Sequence, residues 1–491
     1  MSTQQKEVIE SYQIGKSETY GDILIKRERK ETKVGLLIFA YFEYWRMYEG
    51  LEEEVKSGME EIVKNMGKSD KYKLIYPGFL DTVDKANSAG DMLKKENIDL
   101  LVIVEGTYAP DYMILQAIRK LQNIPIIFLI TQNRRVLSRE DLRYRDVVGN
   151  SGFVGLNQLS GSFSKMNWRK EIIIGTPDES SIYKEIEEYA MVTGLIKKLK
   201  DLKIGAYGHP FRGMFDIEYD KTKLYGDIGP KTIYIDEQQL RKALDDVKKE
   251  DIDNLVKMTK KRFKIRDVSN ETISKGCRTF FALDSIIKGL RLDVLSLLSQ
   301  YNLQLVADDT AGYASSLLIE KGIMISCEGD VPTLTLMYIL NQLSGLSPMY
   351  GEFTMFDVND NAVVFQHHGD GDPNLAQNID DVYLTSCPES WGCKEALAFN
   401  FIMRKGRATV CGIIDDALGH KIYIATGESL GGESFHVHSP VCYFKPDRPV
   451  IEFLKLMTES GFSHHSVIVL GDYVKHMMLL AKFLNINAVI L

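Results

Sequence analysis

The chain has no apolar run approaching the ~20 residues of a membrane-spanning helix. The run near Ile124–Ile130 contains Pro125 and reads as a buried strand. The opening MSTQQKEVIESYQIGKSETYGD is polar and lacks the apolar centre of a signal peptide. Cysteine is scarce, six in 491 residues, and no two form a CxxC pair. A chain of this length buries its own cores without disulfide staples, so these read as reduced thiols of a cytoplasmic protein. The net charge is −8, and Lys and Arg are interleaved with acids, as where Arg134 and Arg135 are followed by Glu140 and Asp141. With no basic stripe, neither nucleic acid nor a membrane is expected as a partner. No GxGxxG follows the first strand-like run and no GxxxxGK[ST] occurs, so nothing points to a dinucleotide or to ATP.

What is present is an alternation of short apolar runs with helical periodicities. KVGLLIFA, IDLLVIVEGT and IPIIFLIT read as buried parallel strands, with helices between them. That rhythm predicts an open, doubly wound sheet, with ligands at the carboxyl ends of its strands, in the segments FAYFEYW, VEGTYAP and ITQNRR. The rhythm restarts at LKIGAYG. Past Gly351 the texture becomes short strands separated by Gly and Asp. The expected fold class is α/β: two doubly wound parallel-sheet domains followed by a mainly β C-terminal domain. The boundaries fall at 1–32 (an N-terminal extension), 33–197, 198–350 and 351–491.

Eight of the nine histidines lie beyond residue 360, where an even scatter would place about a quarter of them. Two acidic motifs, CEGD (Cys327–Asp330) and MFD (Met355–Asp357), lead into that stretch. Carboxylate with imidazole is a donor set for Mn²⁺, Zn²⁺ or Fe²⁺ and suits Mg²⁺ or Ca²⁺ less well. GIMIS is expected to be a strand ending in acids. Asp330 would then cap a helix through LTLMYILNQLSG, with Pro332 in its first turn and Gly345 at its end. Glu328 lies at the strand end. Asp357, taken alone, fits an Asx turn. His367 and His368 end the strand AVVFQ and face opposite sides, so one of them can point at a given metal. His464 and His465 form a second such pair in GFSHHS. His436 and His438 are expected to share one strand face.

CEGD, an apolar helix ending in SG, then MFD, QHHG and GFSHHS in that order resemble the L-arabinose isomerases and the wider group that includes L-fucose isomerase. APDYMILQAIRKLQNIPIIFLITQ and GLNQLSG resemble the corresponding N-terminal stretches. The resemblance spans about residues 33–491. It implies a divalent metal, usually Mn²⁺, held by two acids and two histidines. The positions that match are Glu328, Asp357, His367 and His465, with Glu328 and Asp357 also the catalytic acid/base pair. His464, His368, Gln132 and His438 are the candidate substrate contacts. The second acid is Asp here, as in fucose isomerases, whereas arabinose isomerases carry Glu. The segment FAYFEYWRMYEG also differs from the arabinose enzymes.

The implied activity is interconversion of an aldose and a ketose, of the L-arabinose/L-ribulose or L-fucose/L-fuculose kind, in a homo-trimer or homo-hexamer. The C2–H of a sugar is a poor acid, so a divalent cation would stabilise the developing enediolate while carboxylates move the proton. Tyr41, Tyr44 and Trp45 are aromatic residues able to stack on a sugar. The alternatives are another divalent-metal-dependent carbohydrate enzyme, a hydrolase or lyase, and a non-catalytic sugar-binding protein.

Overall fold

The computed structural model describes residues 31–121, 123–132, 136–387 and 395–491. All but the last two residues of the expected N-terminal extension, and also Arg134, Arg135 and Cys393, lie outside the described residues. The chain divides into two compact units that meet in sequence at Lys198 and Leu199.

The N-terminal unit is built on six parallel strands: β1 (Lys33–Phe39), β2 (Lys73–Ile75), β3 (Phe79–Leu80), β4 (Leu100–Glu105), β5 (Ile126–Ile130) and β6 (Glu171–Ile174). Their order is β2-β1-β4-β5-β6, with β3 also on β1. β1 and β4 are covered on both faces, which is why they read as unbroken apolar runs rather than as alternation. β2, β3 and β6 are short or carry exposed side chains, and they leave no such signal. At the strand ends, Tyr41 and Tyr44 meet edge to face and the Trp45 indole N–H donates to Asp81 at 3.3 Å. Gln132 follows β5 and is exposed.

The C-terminal unit opens with a second parallel sheet of β7 (Lys203–Tyr207), β8 (Lys231–Ile235), β10 (Val294–Leu297) and β11 (Ile325–Ser326), in the order β11-β10-β7-β8. The two-residue strand β9 (Lys264–Ile265) pairs elsewhere, with β14 (Tyr383–Cys387). The expected helix follows β11 over Val331–Ser344. Asp330 caps it by accepting from the Thr333 N–H, and Gly345 closes it in the left-handed region.

Beyond it come β12 (Met349–Asp357), β13 (Ala362–Gln366), β14 (Tyr383–Cys387), β15 (Ala396–Ile402), β16 (Gly406–Asp416), β17 (Gly419–Ser429), β18 (Pro440–Pro446), β19 (His465–Leu470) and β20 (Asn487–Ile490). Six of these pair antiparallel in a closed ring, β17-β16-β19-β12-β13-β18 and back to β17. Closure into a barrel removes the open edges a free sheet of these strands would present. One mouth of the barrel gathers the end of β13 and the start of β19, both in register with Glu352 of β12.

A buried polar network holds the segment after β13 in place. Arg262 forms a two-pronged ion pair with Glu320 at 2.8 and 2.5 Å. Glu320 also accepts from Asn374, which bonds Asp372, and Asp372 accepts from Ser347 at 2.6 Å. The network joins the helices Lys249–Arg262 and Gly312–Glu320 to the turn at Pro373 and the approach to β12. Removing one partner of such a pair leaves a buried charge uncompensated. Glu320→Gln should therefore lower stability by about 3 kcal/mol. Its thermal midpoint should fall below that of the unaltered protein, and an unchanged midpoint would show that the network does not hold this segment.

Candidate metal centre

The backbone places Glu328 before any side-chain contact does. The chain leaves β11 through Cys327 and turns sharply, with Glu328 at φ +61° and Gly329 at φ +74°. A non-glycine residue in the left-handed region is strained, and it persists where its surroundings over-determine it. Here the Glu328 carbonyl accepts from the Phe211 N–H at 2.9 Å, and the Gly329 N–H donates to the Leu297 carbonyl at 3.1 Å. A Cβ on Gly329 would lie 2.3 Å from the His209 carbonyl oxygen. The loops after β7 and β10 thus clamp the turn, and the Glu328 carboxylate enters a nearly closed space.

Imidazoles converge on that carboxylate. Nε2 of His465 lies 3.3 Å from Glu328 Oε2, while Nε2 of His367 and Nε2 of His368 each lie 3.9 Å from Oε1. His465 and His367 are buried, and the His368 side chain is 41 % exposed. His465 is fixed from behind: its Nδ1 is 2.9 Å from Asp330 Oδ2 and 2.6 Å from the Tyr350 hydroxyl. The Tyr350 ring also packs against both His367 and His465, at centroid distances of 4.9 and 4.7 Å. The His464 ring packs at a tilt against His465, 4.0 Å between centroids, and its Nδ1 lies 2.6 Å from Asp216 Oδ2.

The charges follow from burial and neighbours. Burial alone would lower the His465 pKa, but its contacts with Asp330 and Glu328 outweigh this and push it up to about 9. Burial raises the Glu328 carboxyl, and His465 beside it more than reverses the shift, leaving it below the ordinary carboxylate range. His367 is driven well below its usual value, first by burial and then by the neighbouring histidines, which leaves the neutral form that binds metals. Burial, with Asp330 and Glu328 nearby, raises Tyr350 well above 10, so it remains a phenol.

Among the described residues, three donor groups could each hold an ion: Glu328, His367 and His368; Glu328, His464 and His465; and Cys327, His367 and Asp370. Glu328 is common to the first two. Carboxylate with imidazole is the donor chemistry of a first-row divalent metal.

The structure brings Glu328, His367, His368, His464 and His465 together. It does not bring Asp357 to them. That residue ends β12 five positions beyond Glu352, about 16 Å along the strand. Its carboxylate accepts from the N–H groups of Asn359 and Asp360, an Asx turn at the far end of the barrel. His436 and His438 do not share a strand face. They sit in an exposed loop before β18, with His438 at φ +56° and bonded to Thr385. Gln132 belongs to the other unit. Sequence reasoning missed Tyr350, Asp216 and Asp370. Tyr350 sits at a strand start with no acid or imidazole in its motif to mark it, whereas Asp370 stood in plain view in HHGDGDP.

A buried carboxylate met by two buried imidazoles and a more exposed third, where the carboxyl edge of a parallel sheet meets a barrel mouth, defines a candidate divalent-metal centre. No family model matches the chain. Among curated proteins it is 24% identical over 345 residues to a sulfoquinovose isomerase of Priestia aryabhattai, covering 68% of this chain and 76% of that one. It is 23% identical over 393 residues to a sulfoquinovose isomerase of Alkalicoccus urumqiensis, covering 80% and 86%. It is 21% identical over 370 residues to an L-arabinose isomerase of Shouchella clausii (strain KSM-K16), covering 74% and 75%. These matches make the chain similar to aldose–ketose isomerases of the L-arabinose/L-fucose isomerase kind.

Two outcomes follow from the geometry. Asp357→Asn should leave turnover near that of the unaltered enzyme, at a stability cost of about 1 kcal/mol or less. Loss of turnover with an intact fold would place Asp357 in the chemistry after all. The second concerns pH. A group whose pKa rises on folding contributes stability that is fully present below its unfolded value, near 6.5, and is lost as pH climbs through the folded one, here about 9. Metal-free protein should therefore lose stability across that interval, and Asp330→Asn should flatten the loss. Identical pH profiles for the two proteins would exclude the Asp330–His465 pair as its source.

Proposed function

We propose that the protein is an aldose–ketose isomerase that works with a divalent transition metal, Mn²⁺ foremost, held by Glu328, His367 and His465. The observation that carries this reading is the convergence of three imidazole Nε2 atoms on one buried carboxylate, at 3.3–3.9 Å. Such separations suit donors that share a cation at roughly 2.0–2.2 Å from each. When bound, the ion would act as a Lewis acid on the sugar's C1 and C2 oxygens and make the C2 proton removable.

The chain's own groups supply the rest. Glu328 enters as a carboxylate and is the group placed to take a proton from C2 and return it to C1. Since Asp357 is remote, the second acid/base falls to a nearer group. Glu352 is half-buried and in direct register with both His465 and Gln366 on the neighbouring strands. Opposed residues share a sheet face, which puts Glu352 beside the cluster. His368, at the exposed edge, is positioned to meet a sugar hydroxyl. Tyr350, buried and held as a phenol, approaches Nδ1 of His465 at 2.6 Å without adding charge.

The relatives supply the first sugars to test. Sulfoquinovose isomerases of two organisms cover more of their own length here than the L-arabinose isomerase does. Sulfoquinovose is therefore the first substrate to try, with L-arabinose and L-fucose beside it. Assembly as a homo-trimer or homo-hexamer belongs to the same reading. Tyr112, Tyr144, Phe153 and Val154 expose apolar surface of the kind a second copy covers, and sedimentation of the purified protein decides the point. Among the described residues no helix is long and apolar enough to cross a membrane.

The test is ketose formation from each sugar with Mn²⁺, before and after exhaustive chelation. Activity should vanish on chelation and return with Mn²⁺. Glu328→Gln should lower kcat by at least about 10²-fold while the protein stays folded. Full turnover without metal, or with Gln at this position, would overturn the proposal.

A further inference from the structure

Each buried imidazole of the centre has a carboxylate behind it, but only one of the two pairs is closed. His465 turns Nε2 to Glu328 and Nδ1 to Asp330, with a hydrogen-bond distance of 2.9 Å on the Asp330 side. His367 repeats the arrangement, with Nε2 toward Glu328 and Nδ1 toward Asp370 Oδ1, here at 3.9 Å on both sides. His367 Nδ1 and Asp370 Oδ1 are both buried and have no hydrogen-bond partner. Two orphaned polar atoms facing one another cost free energy until they meet. The other oxygen of Asp370 is held: it accepts from the Cys327 thiol at 3.4 Å, and Cys327 immediately precedes Glu328. Asp370 lies on the buried loop after His367, where the Gly371 N–H donates to Ser316, and the Phe399 N–H donates to the Gly369 carbonyl. The contacts run in a ring from Glu328 through Cys327, Asp370 and His367 back to Glu328.

We propose that Asp370 is a positioning residue. Held by the Cys327 thiol, it accepts the Nδ1–H of His367 when the ring settles onto a metal, so that His367 presents Nε2 to the ion in one tautomer and one orientation. The inference rests on the metal-centre reading above. A carboxylate behind a ligating histidine fixes its tautomer and raises its basicity, and losing it commonly weakens metal binding 10–100-fold. Asp370 is otherwise an expensive residue, a carboxyl wholly removed from water with one oxygen unmatched, and burial alone accounts for most of the rise in its pKa to about 6.

That expense separates a positioning role from a structural one. Mn²⁺ affinity is measured by titration calorimetry, and thermal midpoints of the metal-free proteins are taken alongside. Asp370→Asn keeps the shape and removes the charge. It should bind Mn²⁺ about 10-fold or more weakly, while its metal-free midpoint stays level or rises. Cys327→Ala leaves Asp370 in place without its clamp. It should weaken Mn²⁺ binding in the same direction, and it carries the test if Asp370→Asn does not fold. Cys327→Ser, which keeps a donor to Asp370, should restore most of that loss. Unaltered affinity in folded Asp370→Asn and Cys327→Ala would overturn the positioning role. So would a lower midpoint with no change in affinity. Failure of the unaltered protein itself to bind Mn²⁺ would overturn the metal centre and this inference with it, whereas binding by the unaltered protein with no effect of either variant would sink the inference alone.

Discussion

Everything at the centre hangs on one strained turn. Glu328 sits at φ +61°, its carbonyl pinned by the loop after β7, while its glycine neighbour bonds the end of β10. A buried carboxylate is costly unless cationic or hydrogen-bonding groups meet it, and this one is met by imidazoles from two separate stretches of the barrel mouth. Left-handed backbone at a non-glycine residue costs of order 1–3 kcal/mol. Such a cost persists where the surrounding structure fixes it, and two strand ends of the parallel sheet do so here. The parallel sheet supplies the acid, the barrel supplies the histidines, and neither element alone contains the site.

The remaining polar residues serve that meeting point. Asp330 has two duties, capping the helix Val331–Ser344 with one oxygen and holding His465 with the other. Tyr350 packs against both buried imidazoles, and its phenol approaches Nδ1 of His465. The Arg262–Glu320–Asn374–Asp372 network stabilises the segment that follows His367. Buried networks of this kind contribute uniqueness of structure as much as stability, because a partly satisfied alternative is heavily penalised.

How much of this is legible in the sequence depends on whether local rules and tertiary placement agree. They agree at CEGD: an apolar run ending in acids, then Pro332 and a helical pattern closed by Gly345, fix both the strand end and the cap. They agree for His367 and His465, which stand where apolar strands stop or start. They part at Asp357. MFD followed by VND carries the local signature of an Asx turn, and that local bonding is what the residue does, while ordered motifs alone pointed to the metal. They part again at HVH, where alternation suggests a strand but the ladder begins only at Pro440. Tyr350 and Glu352 gain their places from the register of β12 with β13 and β19, a non-local quantity that no short motif encodes.

The central claim is that an ion sits among Glu328, His367 and His465. Anomalous diffraction at the manganese edge, from crystals grown with Mn²⁺, addresses it directly. The account predicts one strong peak within bonding distance of the Glu328 carboxylate and of Nε2 of both buried histidines. A peak away from Glu328, or none from protein that binds Mn²⁺ in solution, would contradict it.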